Sequence, residues 1–243
     1  MPDVELYLHA LTPRVIGQRV EAVRIGNPFI VRSYDPPIDA VVGQTVQTLQ
    51  RLGKRIVFGM EDELFVIVHL MIAGRFRWRE RGAAIPGKVG LIAFDFAAGT
   101  LLLTEQGSKR QASIHVVRGR AALADHDPGG LEVMTADLAG FAQRLTGENH
   151  TLKRALTDPR IFSGIGNAYS DEILHAARLS PITWTTRLAD DEIARLHAAT
   201  KSVLERWIHE EGVNYLALPG EEFARLIRRK LNDPDWRHLR TDK

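Results

Sequence analysis

The sequence predicts an α+β fold: an amino-terminal helix with a two-layer antiparallel β-sandwich, then an all-helical region holding two helices joined by a tight glycine turn. Two changes of hydrophobic period and one cluster of helix breakers carry that expectation. Apolar residues recur first at helical spacing, then in eight short runs separated by Gly, Pro or charged turns, then at helical spacing again.

From Asp3 to Leu11, Val4, Leu8 and Leu11 share one helical face, with Asp3 placed to cap it and Pro13 to interrupt it. Strands are predicted at Arg19 to Ile25, Thr45 to Leu52, Arg55 to Phe58, Leu64 to Leu70, Arg75 to Arg79, Leu91 to Phe96, Leu101 to Thr104 and Ile114 to Val117. The Pro-Gly-Gly run within Asp125 to Gly130 lacks strand character. It predicts a linker at 125–130 between a unit over 1–124 and a helical unit over 131–210, with a basic tail at 211–243. In the helical unit, Leu152, Ala155 and Leu156 mark a short helix that Pro159 must end, since a proline lacks the amide a helix interior needs. Gly164 and Gly166 permit positive φ or close backbone approach. Ala168, Ile173, Leu174 and Ala177 line the next helix, which Pro181 closes. Asn167 stands where a side chain and the free amides of that helix converge, an arrangement that suits an anion. From Asp190 to Glu210, Ile193, Leu196, Ala199, Val203 and Leu204 recur beneath an acidic start. Phe223 to Leu231 reads as a short basic amphipathic helix whose Arg228, Arg229 and Lys230 are commonest as a solvated face.

With 243 residues and 44% hydrophobic content, the chain can bury real cores. Lys plus Arg number 32 against 30 for Asp plus Glu, so the net charge of +2 makes no bulk case for a nucleic-acid partner; any basic surface must be local. The longest apolar stretch, Leu64 to Ile72, is too short to cross a bilayer, and there is no basic-then-apolar leader. The absence of cysteine excludes disulfides and thiolate ligands and leads to the expectation of a cytoplasmic protein. The nine histidines show no metal-ligand spacing, so no bound metal is expected.

The run Phe162-Ser-Gly-Ile-Gly-Asn-Ala-Tyr-Ser-Asp-Glu-Ile-Leu174 resembles the helix-two-turn-helix signature of the formamidopyrimidine-DNA glycosylase and endonuclease VIII family of DNA repair enzymes. The resemblance extends from about residue 2 to residue 208 and implies a β-sandwich and a helical domain with DNA in the cleft between them. It implies that Gly166, Asn167 and the neighbouring amides hold DNA phosphates, with Lys153 as a further candidate. Ribosomal and topoisomerase proteins also use this hairpin, so the motif taken singly points only to nucleic-acid binding. Leu52-Gly53-Lys54-Arg55 resembles the family's Gly-Lys turn, which makes Lys54 a second phosphate contact. His69-Leu-Met-Ile-Ala-Gly-Arg75 corresponds to the stretch that fills the gap left by a flipped nucleotide; Met71 and Ile72 are the candidate wedges, unless both are buried strand residues. Thr104 to Ala112 departs from the family's Asp-x-Arg-Arg-Phe loop, leaving Lys109 and Arg110 to approach the opposite strand.

In the family a terminal proline amine attacks the sugar C1′, expelling the base and leaving an iminium that supports β-elimination. An α-amino group suits this work, because a pKa near 8 leaves about a tenth unprotonated at pH 7. Two alignments remain for Met1-Pro2-Asp3-Val4-Glu5. Either Pro2 and Asp3 match the family's second Pro-Glu, with the catalytic Pro-Glu-Leu upstream, or methionine removal makes Pro2 the nucleophile with Asp3 as the acid; the continuation through Val4 and Glu5 favours the first. Pro2, Asp3 and Glu5 are the candidate catalytic residues. The family's four-cysteine zinc finger has no counterpart in Glu211 to Lys243. The resemblance therefore implies a cofactor-free, monomeric base-excision DNA glycosylase with abasic-site lyase activity on oxidised or ring-opened purines or abasic sites in damaged double-stranded DNA. The alternatives are a catalytically silent damaged-DNA binder and, more remotely, an RNA or ribosome-associated hairpin protein.

Overall fold

The computed structural model describes residues 2–106 and 109–210; the basic helix expected at Phe223 to Leu231 lies outside them. The first helix, α1 (Pro2–Val15), buries Val4, Tyr7, Leu11 and Val15 at spacings of three and four. Pro2 takes the first helical position, where its fixed φ suits the turn and its missing amide costs nothing. Asp3 is consequently inside the helix and not its cap. Pro13 does not stop α1 either. The carbonyl it leaves unpaired belongs to exposed His9, while Leu11 and Val15, both 0% exposed, hold the last turn against the core.

All eight expected strands form: β1 (Val20–Ile25), β2 (Val46–Leu52), β3 (Arg55–Met60), β4 (Leu64–His69), β5 (Gly74–Arg79), β6 (Gly90–Phe96), β7 (Gly99–Glu105) and β8 (Ser113–Arg118). They make two antiparallel sheets, in the orders β1-β6-β7-β5 and β2-β3-β4-β8. Ile56, Val66, Phe76, Ile92, Leu103 and Ile114 pack between them, and Phe76 meets Tyr7 of α1 and Phe58 of β3 edge-on.

Register decides what the sandwich presents. Leu52 pairs with Arg55, Arg55 with His69, and His69 with Ser113, so the 53–54 turn, the 70–73 turn and the entry to β8 emerge side by side at one end. Gly74 pairs with Glu105, bringing the end of β7 to the same place.

A short helix, α2 (Arg120–Ala124), precedes the Pro-Gly-Gly run. The remaining α-helices among the described residues are α3 (Leu138–Thr146), α4 (Leu152–Thr157), α5 (Asn167–Ala177) and α6 (Asp190–Glu210). They enclose a second core of Val133, Phe141, Leu156, Phe162, Ile173, Leu196 and Leu204. α4 stops before Pro159, and α5 ends at Arg178 in the left-handed conformation (φ 55), three residues ahead of Pro181.

A candidate nucleic-acid interface

The start of α5 has no cap of its own. Gly166, the N-cap residue, is extended (φ -115, ψ 178) and carries no side chain to accept from the helix, and the Ser170 amide donates to the Gly166 carbonyl at 2.9 Å. The amides of Asn167 and Ala168 precede that bond and point out of the helix end, where an anion would complete their bonding. Asn167 and Ala168 are exposed, and Gly164 at φ +79 makes the bend that turns the chain into this end.

The 53–54 turn supplies the opposing cation. Lys54 Nζ lies 3.6 Å from where a Cβ on Gly166 would stand, so the lysine of the sandwich reaches the helix terminus. Burial lowers the Lys54 pKa, and among the described residues no carboxylate pairs with it. A half-buried ammonium beside a helix N-terminus repels the dipole; a phosphate between them relieves both. His69, across from Arg55 in β4, is pushed down to about 4 by burial, with Arg55, Lys54 and His115 adding to it, so near neutral pH it is an uncharged imidazole.

Lys153 differs. Its Nζ donates to the Asn167 carbonyl at 2.8 Å and to Asp171 at 2.5 Å, locking α4 onto α5. The expectation that it contacts phosphate meets a lysine already neutralised by a carboxylate.

Two contacts that no local pattern announces hold the sandwich to the helical half. Arg51, only 12% exposed, donates to Glu5 Oε1 at 2.5 Å, to Glu132, to Ser163 Oγ at 3.3 Å and to the Gly53 carbonyl at 3.1 Å. Glu5, a candidate catalytic residue, is thus tied into this junction. The Tyr169 hydroxyl donates to Asp3 Oδ2 at 3.1 Å, placing the first turn of α1 two residues from Asn167. Pro2 is buried in that same turn.

Met71 and Ile72 are not buried strand residues. Both lie in the 70–73 turn, 40% and 83% exposed, and Met71 takes φ 54. Arg75 donates to the Ile72 carbonyl at 3.0 Å and stiffens the turn. Lys109 and Arg110 are exposed, and Arg110 donates to the Lys88 carbonyl. Among the described residues, no group of three or more His, Asp or Glu side chains is arranged to hold a metal ion, and no helix is long and apolar enough to cross a membrane.

Residues 1–114 match the family model of the formamidopyrimidine-DNA glycosylase N-terminal domain, and residues 130–216 that of the formamidopyrimidine-DNA glycosylase H2TH domain. The chain is 30% identical over 220 residues to the formamidopyrimidine-DNA glycosylase of Moorella thermoacetica, covering 88% of this chain and 80% of that protein. It is 30% identical over 218 residues to that of Variovorax paradoxus, covering 87% and 78%. Among solved structures, a Lactococcus lactis FPG mutant in complex with a Fapy-dG containing DNA superposes with a TM-score of 0.80 at 25% identity, over 90% of this chain and 83% of that one. The Lactococcus lactis Fpg complex with an abasic site containing DNA has the same fold, with a TM-score of 0.81 over 92% and 85% of the two chains at 23% identity.

Proposed function

The chain belongs to the formamidopyrimidine-DNA glycosylase family, and we propose that it acts as a monomeric, cytoplasmic base-excision DNA glycosylase with abasic-site lyase activity, on oxidised or ring-opened purines or abasic sites in duplex DNA. The observation that carries this reading is the approach of Lys54 to the uncapped start of α5, a two-sided phosphate clamp with one jaw on each half of the molecule. In this reading residues 125–130 are the crossing between the two halves, 1–124 and 131–210.

Lys54, Gly166 and Asn167 hold the backbone of the damaged strand. A nucleotide extruded beside the clamp leaves a gap that the exposed Ile72 fills, with Met71 at its base. Extrusion brings the sugar to the first turn of α1, where Asp3 is oriented by Tyr169. An amine there attacks C1′ as the C1′–base bond breaks and the base leaves protonated; the C1′–O4′ bond then opens with a proton delivered to O4′, and the resulting iminium acidifies the C2′ proton whose loss expels the 3′ phosphate. Asp3 is placed to exchange those protons.

The test is borohydride trapping on a duplex carrying an abasic site. A covalent adduct is expected, and its loss in Pro2→Gly identifies the amine as that of Pro2. Retained binding without any adduct in the parent protein contradicts the enzymatic reading and leaves a damaged-DNA binder.

A further inference from the structure

Glu105, at the end of β7, is 2% exposed, yet among the described residues no cationic side chain pairs with it. Its carboxylate instead faces two backbone amides. Gln111 N donates at 2.9 Å to Oε1 and 3.0 Å to Oε2, and Ala112 N donates at 3.3 and 3.2 Å to the same two oxygens. The backbone of Glu105 is fixed as well, its amide donating to the Val89 carbonyl at 2.8 Å and its Cα standing opposite Gly74. Gly74 in turn closes the wedge turn, donating to the Leu70 carbonyl at 2.9 Å with no room for a side chain. Glu105 therefore joins the base of the turn carrying Ile72, through its backbone, to the segment carrying Lys109, Arg110 and Gln111, through its carboxylate.

Sheet order says where that segment points. Along the end of the β2-β3-β4-β8 sheet come the 53–54 turn, then the 70–73 turn, then the entry to β8. The wedge thus lies between Lys54 and the pair Lys109–Arg110. If Lys54 holds the strand that loses its nucleotide, the cations beyond the wedge meet the partner strand. We infer that Glu105 is a positioning residue for reading the base opposite the lesion, acting by holding Lys109, Arg110 and Gln111 in register with the wedge. This rests on the damaged-duplex reading above.

The physical requirement is two acceptor oxygens facing two donors. Glu105→Gln keeps the shape but replaces one acceptor by an NH2 group that confronts the amides at about 3 Å, so the segment must move. The experiment measures the affinity of the full chain for four duplexes carrying a tetrahydrofuran abasic analogue opposite C, A, G or T, alongside an undamaged duplex. The parent is expected to spread by about 10-fold across the four partners, the scale of one good arginine–base contact. In Glu105→Gln the spread collapses to about 2-fold, while preference for the abasic duplexes over the undamaged one persists. Arg110→Ala, which changes an exposed side chain and removes its bond to the Lys88 carbonyl, also collapses the spread, and the double variant is no worse than either single one, as groups acting in series require.

A merely structural Glu105 lowers all four affinities equally and leaves their ratios intact, which overturns the inference. So does an unchanged spread in Arg110→Ala, whether or not Glu105→Gln folds, and so does a parent that binds all four partners alike. A parent without preference for abasic over undamaged duplex defeats the damaged-duplex reading itself, an outcome distinct from the other three.

Discussion

Two lysines reach the start of α5, one from the sandwich and one from the helical hairpin, and they do opposite things. Lys54 arrives half-buried, with its pKa lowered and no carboxylate beside it among the described residues. Lys153 arrives already bonded to Asp171 and to the Asn167 carbonyl. In the proposed clamp the first is a charge held in reserve for a ligand. The second is a brace that keeps α4 and α5 in the geometry the ligand needs. Proximity to a helix terminus does not make a cation a binding residue; what matters is whether the fold has already neutralised it.

The contrast holds only while the two halves stay in register, so the largest effect is expected at Arg51. Arg51→Ala strips Glu5 and Glu132 of their shared partner; because both carboxylates are partly exposed, the cost is about 2 kcal/mol, less than for a fully buried pair. Thermal melting should fall by roughly 5 °C, and melting within a degree of the parent would mean that the junction is not what joins the halves. Next comes Lys54→Ala, expected to weaken binding to an abasic-site duplex by about 10-fold through loss of one charge-assisted contact, with melting unchanged or raised because a desolvated cation is gone.

His69 sharpens the electrostatics of the same jaw. Its pKa is depressed to about 4, so relative to the unfolded chain the native state binds fewer protons between about pH 6.5 and 4. The stability contributed by the neutral imidazole is present above pH 6.5 and lost as pH falls through about 4. Chemical denaturation of His69→Gln should lack about 1–2 kcal/mol of that acid-side loss; parallel curves for the two proteins would show that the imidazole is not held neutral. The smallest effect belongs to Lys153→Ala, where replacing an exposed brace should cost at most about 0.5 kcal/mol of stability and about 2-fold in affinity.

What the sequence reveals follows from how far apart the partners are. All eight strands and the long α6 are legible because hydrophobic period is a local property, and Asn167 is legible because a glycine bend and a helix start lie within four residues of it. Pro13 misleads for a physical reason: a proline ends a helix only where the freed carbonyl and the lost turn are not offset, and Leu11 and Val15 offset them. Arg51, Tyr169 and Glu105 escape notice because they depend on pairing and packing. Arg51 meets Glu132 at a separation of 81 residues and Ser163 at 112, and Tyr169 meets Asp3 at 166. No spacing announces such contacts, although an arginine adjoining the Gly53-Lys54 turn and a tyrosine two residues after Asn167 were the places to look. The difference between Lys54 and Lys153 lay in a partner, Asp171, that the hairpin motif contains without advertising its bond.

The most direct measurement is the salt dependence of binding to an abasic-site duplex for the parent, Lys54→Ala and Lys153→Ala. Each phosphate neutralised contributes about 0.9 to the slope of log K against log salt. The clamp predicts a slope shallower by about that amount in Lys54→Ala and unchanged in Lys153→Ala. Equal slopes for Lys54→Ala and the parent, or the loss appearing in Lys153→Ala instead, would contradict it.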